Sequence, residues 1–168
     1  PNVTTIPLLN SDSRDALNDF LDGNSPQRFE GLETLHPGRA QGELLVMNLA
    51  MLCSLAGTPF FPELKGRILV LEEVGEAPYR LDRLLTQLRW IPSVQEIAGL
   101  VLGDLDSGGK STQVAATIDR LAAVLGVPCA TGFPVGHGSN NRIVPLGVLA
   151  FLDADQGVLT IRESSLAG

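Results

Sequence analysis

An acidic pair and a single loop histidine are the residues of this sequence best suited to catalysis. Glu72 and Glu73 end a run of apolar residues, and His137 lies in a loop rich in glycine and asparagine. A carboxylate that fixes the tautomer of an imidazole and stabilises the imidazolium makes that imidazole an effective general base. Adjacent strand residues point to opposite faces, so only one glutamate can serve. Neither feature is decisive alone, because such residues usually face water.

The elements that must position these residues alternate between strands and helices. Continuous apolar runs predict three buried strands, and apolar residues at helical spacing predict the helices between them. The strands are residues 67–71, 97–102 and 127–130, and the helices are residues 79–90 and 112–125. In a parallel sheet the ligand crevice lies beyond the carboxyl ends of the strands. We therefore expect the acidic pair and His137 to meet on one rim of the sheet.

The remaining apolar segments complete the predicted fold. Residues 148–152 and 158–161 flank a glycine-containing turn and predict a hairpin. Residues 43–47 are consistent with a strand or with the lead into a helix that ends near Gly57. This order of elements predicts an α/β fold with a mostly parallel sheet, helices on both faces and a C-terminal β-hairpin. Residues 1–39 are polar, and we interpret them as an arm or linker with one short helix opened by Ser11, Asp12 and Ser13.

Composition bounds the class of protein. The 168 residues are 44% apolar and carry a net charge of -7, which suits one globular domain and gives no basic stripe for nucleic acid. No apolar run is long enough to predict a membrane span. Cys53 and Cys129 lack the spacing of a zinc site or a disulfide framework, which favours a reducing, cytoplasmic setting. We expect neither a metal nor another cofactor.

No residue of the sequence is a convincing nucleophile. Cys53 falls in an apolar helical segment and Cys129 in a predicted strand, where small core residues are common. Ser54 and Ser139 lack the glycine-flanked elbow that presents a serine above a sheet. The sequence therefore offers a candidate base but no convincing nucleophile for it to activate.

A glycine-rich loop supports an alternative function. Gly109, Lys110 and Ser111 end a loop between a strand and a helix, as in a phosphate-binding loop. The spacing does not fit, because the first glycine of that motif would fall on Asp104. Asp104 and Asp106 would also place negative charge where phosphate must approach. Nucleotide binding remains the alternative, together with a non-catalytic α/β module that dimerises or docks.

The chain resembles the C-terminal domain of the LD-carboxypeptidase family of serine peptidases, which includes murein-recycling enzymes and microcin C self-immunity proteins. The resemblance covers roughly residues 35–153 and rests on the order and spacing of several motifs. These motifs are residues 42–52 with Asn48, residues 57–59, 67–74, 79–88 and 99–103, and residues 133–137 followed by Leu146 and Gly147.

The resemblance implies a split Ser-His-Glu triad whose serine lies in an N-terminal domain. His137 then takes the role of general base and Glu72 that of orienting carboxylate, with Glu73 as the fallback if the strand is offset by one. The implied reaction is hydrolysis, through an acyl-enzyme, of the amide to a terminal D-alanine of a cell-wall peptide, or of a related amide in the self-immunity branch.

Further expectations concern partners and assembly. The resemblance implies that residues 40–168 are the catalytic half that carries the glutamate and the histidine. This half would be inactive without the serine-bearing domain, and the substrate would be a small peptide. The resemblance also implies a homodimer. One departure from the family pattern is Val46-Met47, where a Gly-Gly pair usually precedes the equivalent of Asn48.

Overall fold

The computed structural model describes residues 6–22, 27–105 and 112–162. In these ranges eight strands form one sheet in the order β1-β8-β7-β3-β4-β5-β6-β2. The strands are β1 Gln27–Phe29, β2 Glu33–His36, β3 Arg39–Asn48, β4 Ile68–Glu73, β5 Gly99–Leu105, β6 Cys129–Thr131, β7 Leu149–Asp153 and β8 Val158–Ile161. The helices are α1 Ser11–Leu21, α2 Leu49–Leu55, α3 Pro78–Leu88 and α4 Thr112–Leu125, with short 3-10 turns at Ile6–Leu8 and Pro92–Glu96. None of the described helices is long and apolar enough to cross a membrane.

The centre of the sheet is parallel. Strand β4 pairs in parallel with β3 and β5, and β5 pairs in parallel with β6. All six residues of β4 are buried, which explains why this strand reads as a continuous apolar run. Strands β7 and β8 form an antiparallel hairpin, and β7 joins it to β3. The α/β class, the parallel core and the C-terminal hairpin are confirmed.

The two faces of the parallel core are covered differently. Leu69, Leu71 and Leu100 pack in one apolar cluster with residues of α2, α3 and α4. On the other face Ile68, Val70 and Val101 pack with residues of β7 and β8 and of the loops, and no residue of a described helix belongs to that cluster. Helices α2, α3 and α4 thus pack against the first face, and strands and loops supply the apolar cluster on the second. The sheet curls and covers its second face with its own antiparallel strands.

The segment interpreted as an arm or linker contributes to this sheet. Strand β1 pairs with β8 at one edge and β2 pairs with β6 at the other. The two edges lie close together, because only residues 30–32 separate β1 from β2. Within that connection the Leu32 N–H donates to the carbonyl of Gly157, in the turn between β7 and β8, at 3.0 Å. Gly157 has a φ of 63°, and a Cβ there would lie 2.2 Å from the Leu32 oxygen, so this contact requires glycine.

The ambiguous segment before Gly57 contains both predicted elements in succession. Strand β3 ends at Asn48 and α2 begins at the next residue. The Asn48 side chain accepts a hydrogen bond from the Met51 N–H at 3.0 Å and so caps the helix. Helix α1 is capped in the same way by Asn10, rather than opened by the cluster of residues 11–13 as expected.

Candidate active site

Glu72 and His137 meet beyond the carboxyl ends of the parallel strands. Glu72 lies near the end of β4, and His137 lies in the loop of residues 132–148 between β6 and β7, here called the histidine loop. The Nδ1 atom of His137 is 2.8 Å from Oε2 of Glu72. Glu72 is only 7% exposed, whereas the His137 side chain is 38% exposed. The carboxylate is thus buried behind the imidazole, and the imidazole reaches solvent.

This geometry determines what the imidazole can do. With its proton on Nδ1, the ring donates to the carboxylate and keeps Nε2 as an unprotonated acceptor. The carboxylate also stabilises the imidazolium that forms when Nε2 takes a proton. The pair can therefore act as a general base toward a hydroxyl group placed at Nε2.

Glu73 points away from the histidine and holds α2. Its Oε1 accepts hydrogen bonds from the Asn48 Nδ2 and the Val74 N–H, both at 2.9 Å. Its Oε2 accepts from the Ala50 N–H at 2.8 Å, in the first turn of α2, where a negative charge is favourable. The fallback in which Glu73 faces His137 is not the arrangement in the structure.

The histidine loop is packed closely on the end of β5. The Asp104 N–H donates to the Val135 carbonyl at 2.8 Å. A Cβ on Gly103 would lie 2.5 Å from that same carbonyl oxygen, and a Cβ on Gly136 would lie 2.7 Å from the Cβ of Asp104. Gly136 also has a φ of 154°, which disfavours any other residue. These two glycines allow the backbone approach that brings His137 over β4.

A cavity of about 290 Å³ opens beside the pair. Its polar lining consists of Asn48, Glu72, His137, Asn141 and Arg142. The other lining residues are Val46, Met47, Val135, Gly136, Val144 and Leu146. None of these described lining residues is a serine, threonine or cysteine. A larger cavity of about 590 Å³ lies against β7 and β8, but its described lining contains no histidine. The larger of these two cavities is therefore not the one that contains the candidate catalytic residues.

None of the four residues rejected as nucleophiles is among the described residues that line the cavity. Burial, and secondarily the carboxylate of Glu73, raises the pKa of the Cys53 thiol to about 11. Burial raises the pKa of Cys129 to about 12. Both cysteines are thus protonated thiols at neutral pH. The Ser54 hydroxyl donates to the Met51 carbonyl within α2.

Two polar lining residues of the cavity were not singled out from the sequence. Asn141 and Arg142 follow His137 in the same loop, and their position in that loop was the only signal that could have indicated them. The loop of Gly109, Lys110 and Ser111 lies outside the described residues. In the described part of the chain no group of three His, Cys, Asp or Glu side chains is placed to hold a metal ion.

Comparison with known proteins establishes the family. Residues 41–152 match the family model for the LD-carboxypeptidase C-terminal domain. The chain belongs to this family. It is 33% identical over 147 residues to a probable murein peptide carboxypeptidase of Bacillus subtilis, covering 84% of this chain and 46% of that protein. It is 36% identical over 126 residues to a murein tetrapeptide carboxypeptidase of Pseudomonas aeruginosa, covering 72% of this chain and 41% of that protein.

A solved structure supports the same relationship. The crystal structure of a muramoyltetrapeptide carboxypeptidase from Oxalobacter formigenes superposes with a TM-score of 0.78 at 29% identity, over 92% of this chain and 56% of that one. The family resemblance read from the motifs is confirmed. The chain spans about half the length of the curated relatives that it matches.

Proposed function

We propose that this chain supplies the base-bearing half of a serine-type LD-carboxypeptidase. His137 is the general base, Glu72 is its orienting carboxylate, and the nucleophilic serine comes from a domain outside this chain. The observation that carries the proposal is the 2.8 Å contact between Glu72 and His137 beside a cavity whose described lining offers no hydroxyl or thiol. A base that is oriented but faces no nucleophile in the described lining supports a site divided between this chain and another domain.

The reaction proceeds in two steps. Nε2 of His137 removes the serine proton as the serine oxygen attacks the amide carbon, and the same proton passes to the departing amine when the C–N bond breaks. A water molecule then loses a proton to Nε2 as its oxygen attacks the acyl-serine. When the C–O bond to the serine breaks, that proton passes from Nε2 to the serine oxygen and the acid is released. The Glu72 carboxylate stabilises the imidazolium in both steps.

We further propose that the substrate is a cell-wall peptide ending in a D-amino acid. The relatives named as murein carboxypeptidases are 33% and 36% identical to this chain, whereas the microcin C7 self-immunity protein of Escherichia coli is 25% identical. A free terminal carboxylate needs a cationic partner, and Arg142 carries the only guanidinium or ammonium group among the described lining residues. Arg142 is therefore assigned to that carboxylate. Murein recycling in the cytoplasm and a homodimeric assembly belong to this proposal through the family resemblance.

Peptide hydrolysis tests the proposal directly. The full-length gene product that contains this chain should release D-alanine from an L,D-linked murein tetrapeptide, and the 168-residue chain alone should not. The Arg142→Ala variant should lose more activity on the free acid than on the terminal amide of the same peptide, because loss of the contact with the Asp12 carbonyl affects both substrates alike. Hydrolysis by the chain alone would contradict the divided site. Hydrolysis of an aminoacyl sulfamoyl nucleotide, of the kind bound by the self-immunity protein, without hydrolysis of the tetrapeptide would contradict the murein substrate.

A further inference from the structure

Helix α1 and its cap residue Asn10 contact the histidine loop through residues that follow His137. The Asn10 N–H donates to the Ser139 carbonyl at 2.9 Å. The Asn141 N–H donates to the Ser13 hydroxyl at 3.1 Å. The Arg142 Nη1 donates to the backbone carbonyl of Asp12 at 3.1 Å. A helix more than a hundred residues away in sequence thus holds the segment that follows His137.

Ser13 is the central contact of this set. It is 0% exposed, although the rest of α1 is exposed or half-buried, and Asn141 is 4% exposed. A serine inside a helix normally faces water or bonds to its own helix, because a buried hydroxyl without a partner is unfavourable. Here the hydroxyl accepts the N–H of the loop instead. Removing it would leave the buried Asn141 N–H without this partner.

The contact continues from Asn141 to the catalytic pair. The Asn141 side chain spans the loop, since its Nδ2 donates to the Gly136 carbonyl and its Oδ1 accepts from the Gly136 N–H at 3.4 Å. Gly136 directly precedes His137. A series of hydrogen bonds therefore leads from Ser13 through Asn141 to Gly136, and the peptide bond joins Gly136 to His137, the residue that contacts Glu72.

We propose that α1 clamps the histidine loop and that Ser13 is the positioning residue which holds His137 in register with Glu72. The effect of the clamp on hydrolysis rests on the function proposed above, whereas its effect on the loop does not. The histidine loop needs such a contact in order to stay ordered. The loop has no secondary structure and contains four glycines, so ordering it is entropically unfavourable, and small displacements of a catalytic group reduce the rate strongly.

Hydrogen exchange of the 168-residue chain tests the clamp without any assay of activity. Ser13→Ala should speed exchange of residues 132–142 by about tenfold while β4 exchanges as in wild type. Ser11→Ala is the matched control, because Ser11 is exposed in the same turn and its hydroxyl bonds only to the neighbouring Asp12 in the described structure. The ring nitrogen shifts of His137 should report one tautomer in wild type and in Ser11→Ala, and a mixture in Ser13→Ala.

A second variant covers the case in which Ser13→Ala does not fold. Asn10 is exposed and caps α1 through the Ser13 N–H at 2.8 Å, so Asn10→Ala weakens the helix without removing a core residue. It should speed exchange in α1 and in the histidine loop together. Loop exchange that stays at the wild-type rate while α1 frays would overturn the clamp, as would loop and β4 rates that rise equally.

Kinetics of the full-length protein give the functional readout. Ser13→Ala should lower kcat about tenfold and also raise KM, because the loosened segment carries both the base His137 and Arg142, the residue assigned to the substrate carboxylate. Unchanged kcat together with a mobile loop would overturn the positioning role. If the wild-type protein hydrolyses no peptide, the proposed function fails, and the exchange experiment still decides whether the clamp exists.

Discussion

The two members of the proposed catalytic pair, Glu72 and His137, are held by different kinds of structure. Glu72 lies in β4, where backbone pairing with Asn48 of β3 and burial fix its position, and its neighbours Leu71 and Glu73 pair with β5. His137 lies in a loop that is held by a few separate hydrogen bonds to β5 and to α1 with its cap, and by the close approach of two glycines. The carboxylate is therefore secured by the cooperative sheet, whereas the imidazole depends on a few local contacts. Changes in the loop should move the base without unfolding the protein.

Removal of the imidazole should have the largest effect. In the full-length protein, His137→Ala should lower kcat by about 10⁴-fold, because it removes the proton acceptor that activates the nucleophile. Thermal unfolding should change little, since the side chain is partly exposed. Lys110→Ala is the control and should leave peptide hydrolysis unchanged. If the two variants ranked in the opposite order, the phosphate-loop alternative would gain support.

The neighbouring glutamates provide a matched pair of variants. Glu72→Gln should lower kcat about 10³-fold, because the neutral amide no longer stabilises the imidazolium. Glu73→Gln should reduce kcat much less but lower the free energy of unfolding by about 1–2 kcal/mol, since the amide group replaces an acceptor that the buried N–H groups of Asn48 and Ala50 require. Kinetics and denaturant unfolding of both variants measure the contrast. Equal kinetic losses would mean that the pair was assigned incorrectly.

The packing of the loop on β5 can be tested through glycine. Gly103→Ala places a Cβ 2.5 Å from the Val135 carbonyl, so the loop must shift, and kcat should fall about tenfold with a loss of roughly 1–3 kcal/mol in stability. Gly138→Ala is the control within the same loop, because its Cβ would meet only the end of the Asp104 side chain, at 3.2 Å. Similar kinetics for the two variants would show that the close approach at Gly103 is not needed for catalysis.

The smallest expected effect is a change in stability at alkaline pH that depends on Cys129 in β6 and Cys53 in α2. Their raised pKa values mean that the folded chain binds these two protons more tightly than the unfolded chain, whose thiols titrate near 9.0. The stability that follows is fully present below about pH 9 and is lost as the pH rises toward about 11 for Cys53 and about 12 for Cys129. Denaturant unfolding at pH 8 and pH 10.5 should show a smaller decline in a Cys53→Ala/Cys129→Ala double variant than in wild type. An identical decline would place the alkaline sensitivity in other groups.

Sequence periodicity was sufficient for the parallel core because burial on both faces leaves a strong pattern. Strands β4 and β5 and helices α3 and α4 all lie within a few residues of the predicted segments. Strands β1 and β2 were missed because they are three and four residues long and lie in a polar segment. Such short edge strands are stabilised by pairing with distant strands, β8 and β6, which no local pattern reveals.

The sequence by itself determined that an acidic pair ends a buried strand and that a glycine-rich loop carries the histidine, because residue type and periodicity are local properties. Only the tertiary structure decided which carboxylate serves His137. Strand alternation requires Glu72 and Glu73 to diverge, but their roles follow from their neighbours: the Asn48 amide and the first turn of α2 occupy one side, and the histidine loop occupies the other. The contact between Ser13 and Asn141 likewise joins residues 128 positions apart, and only folding brings them together.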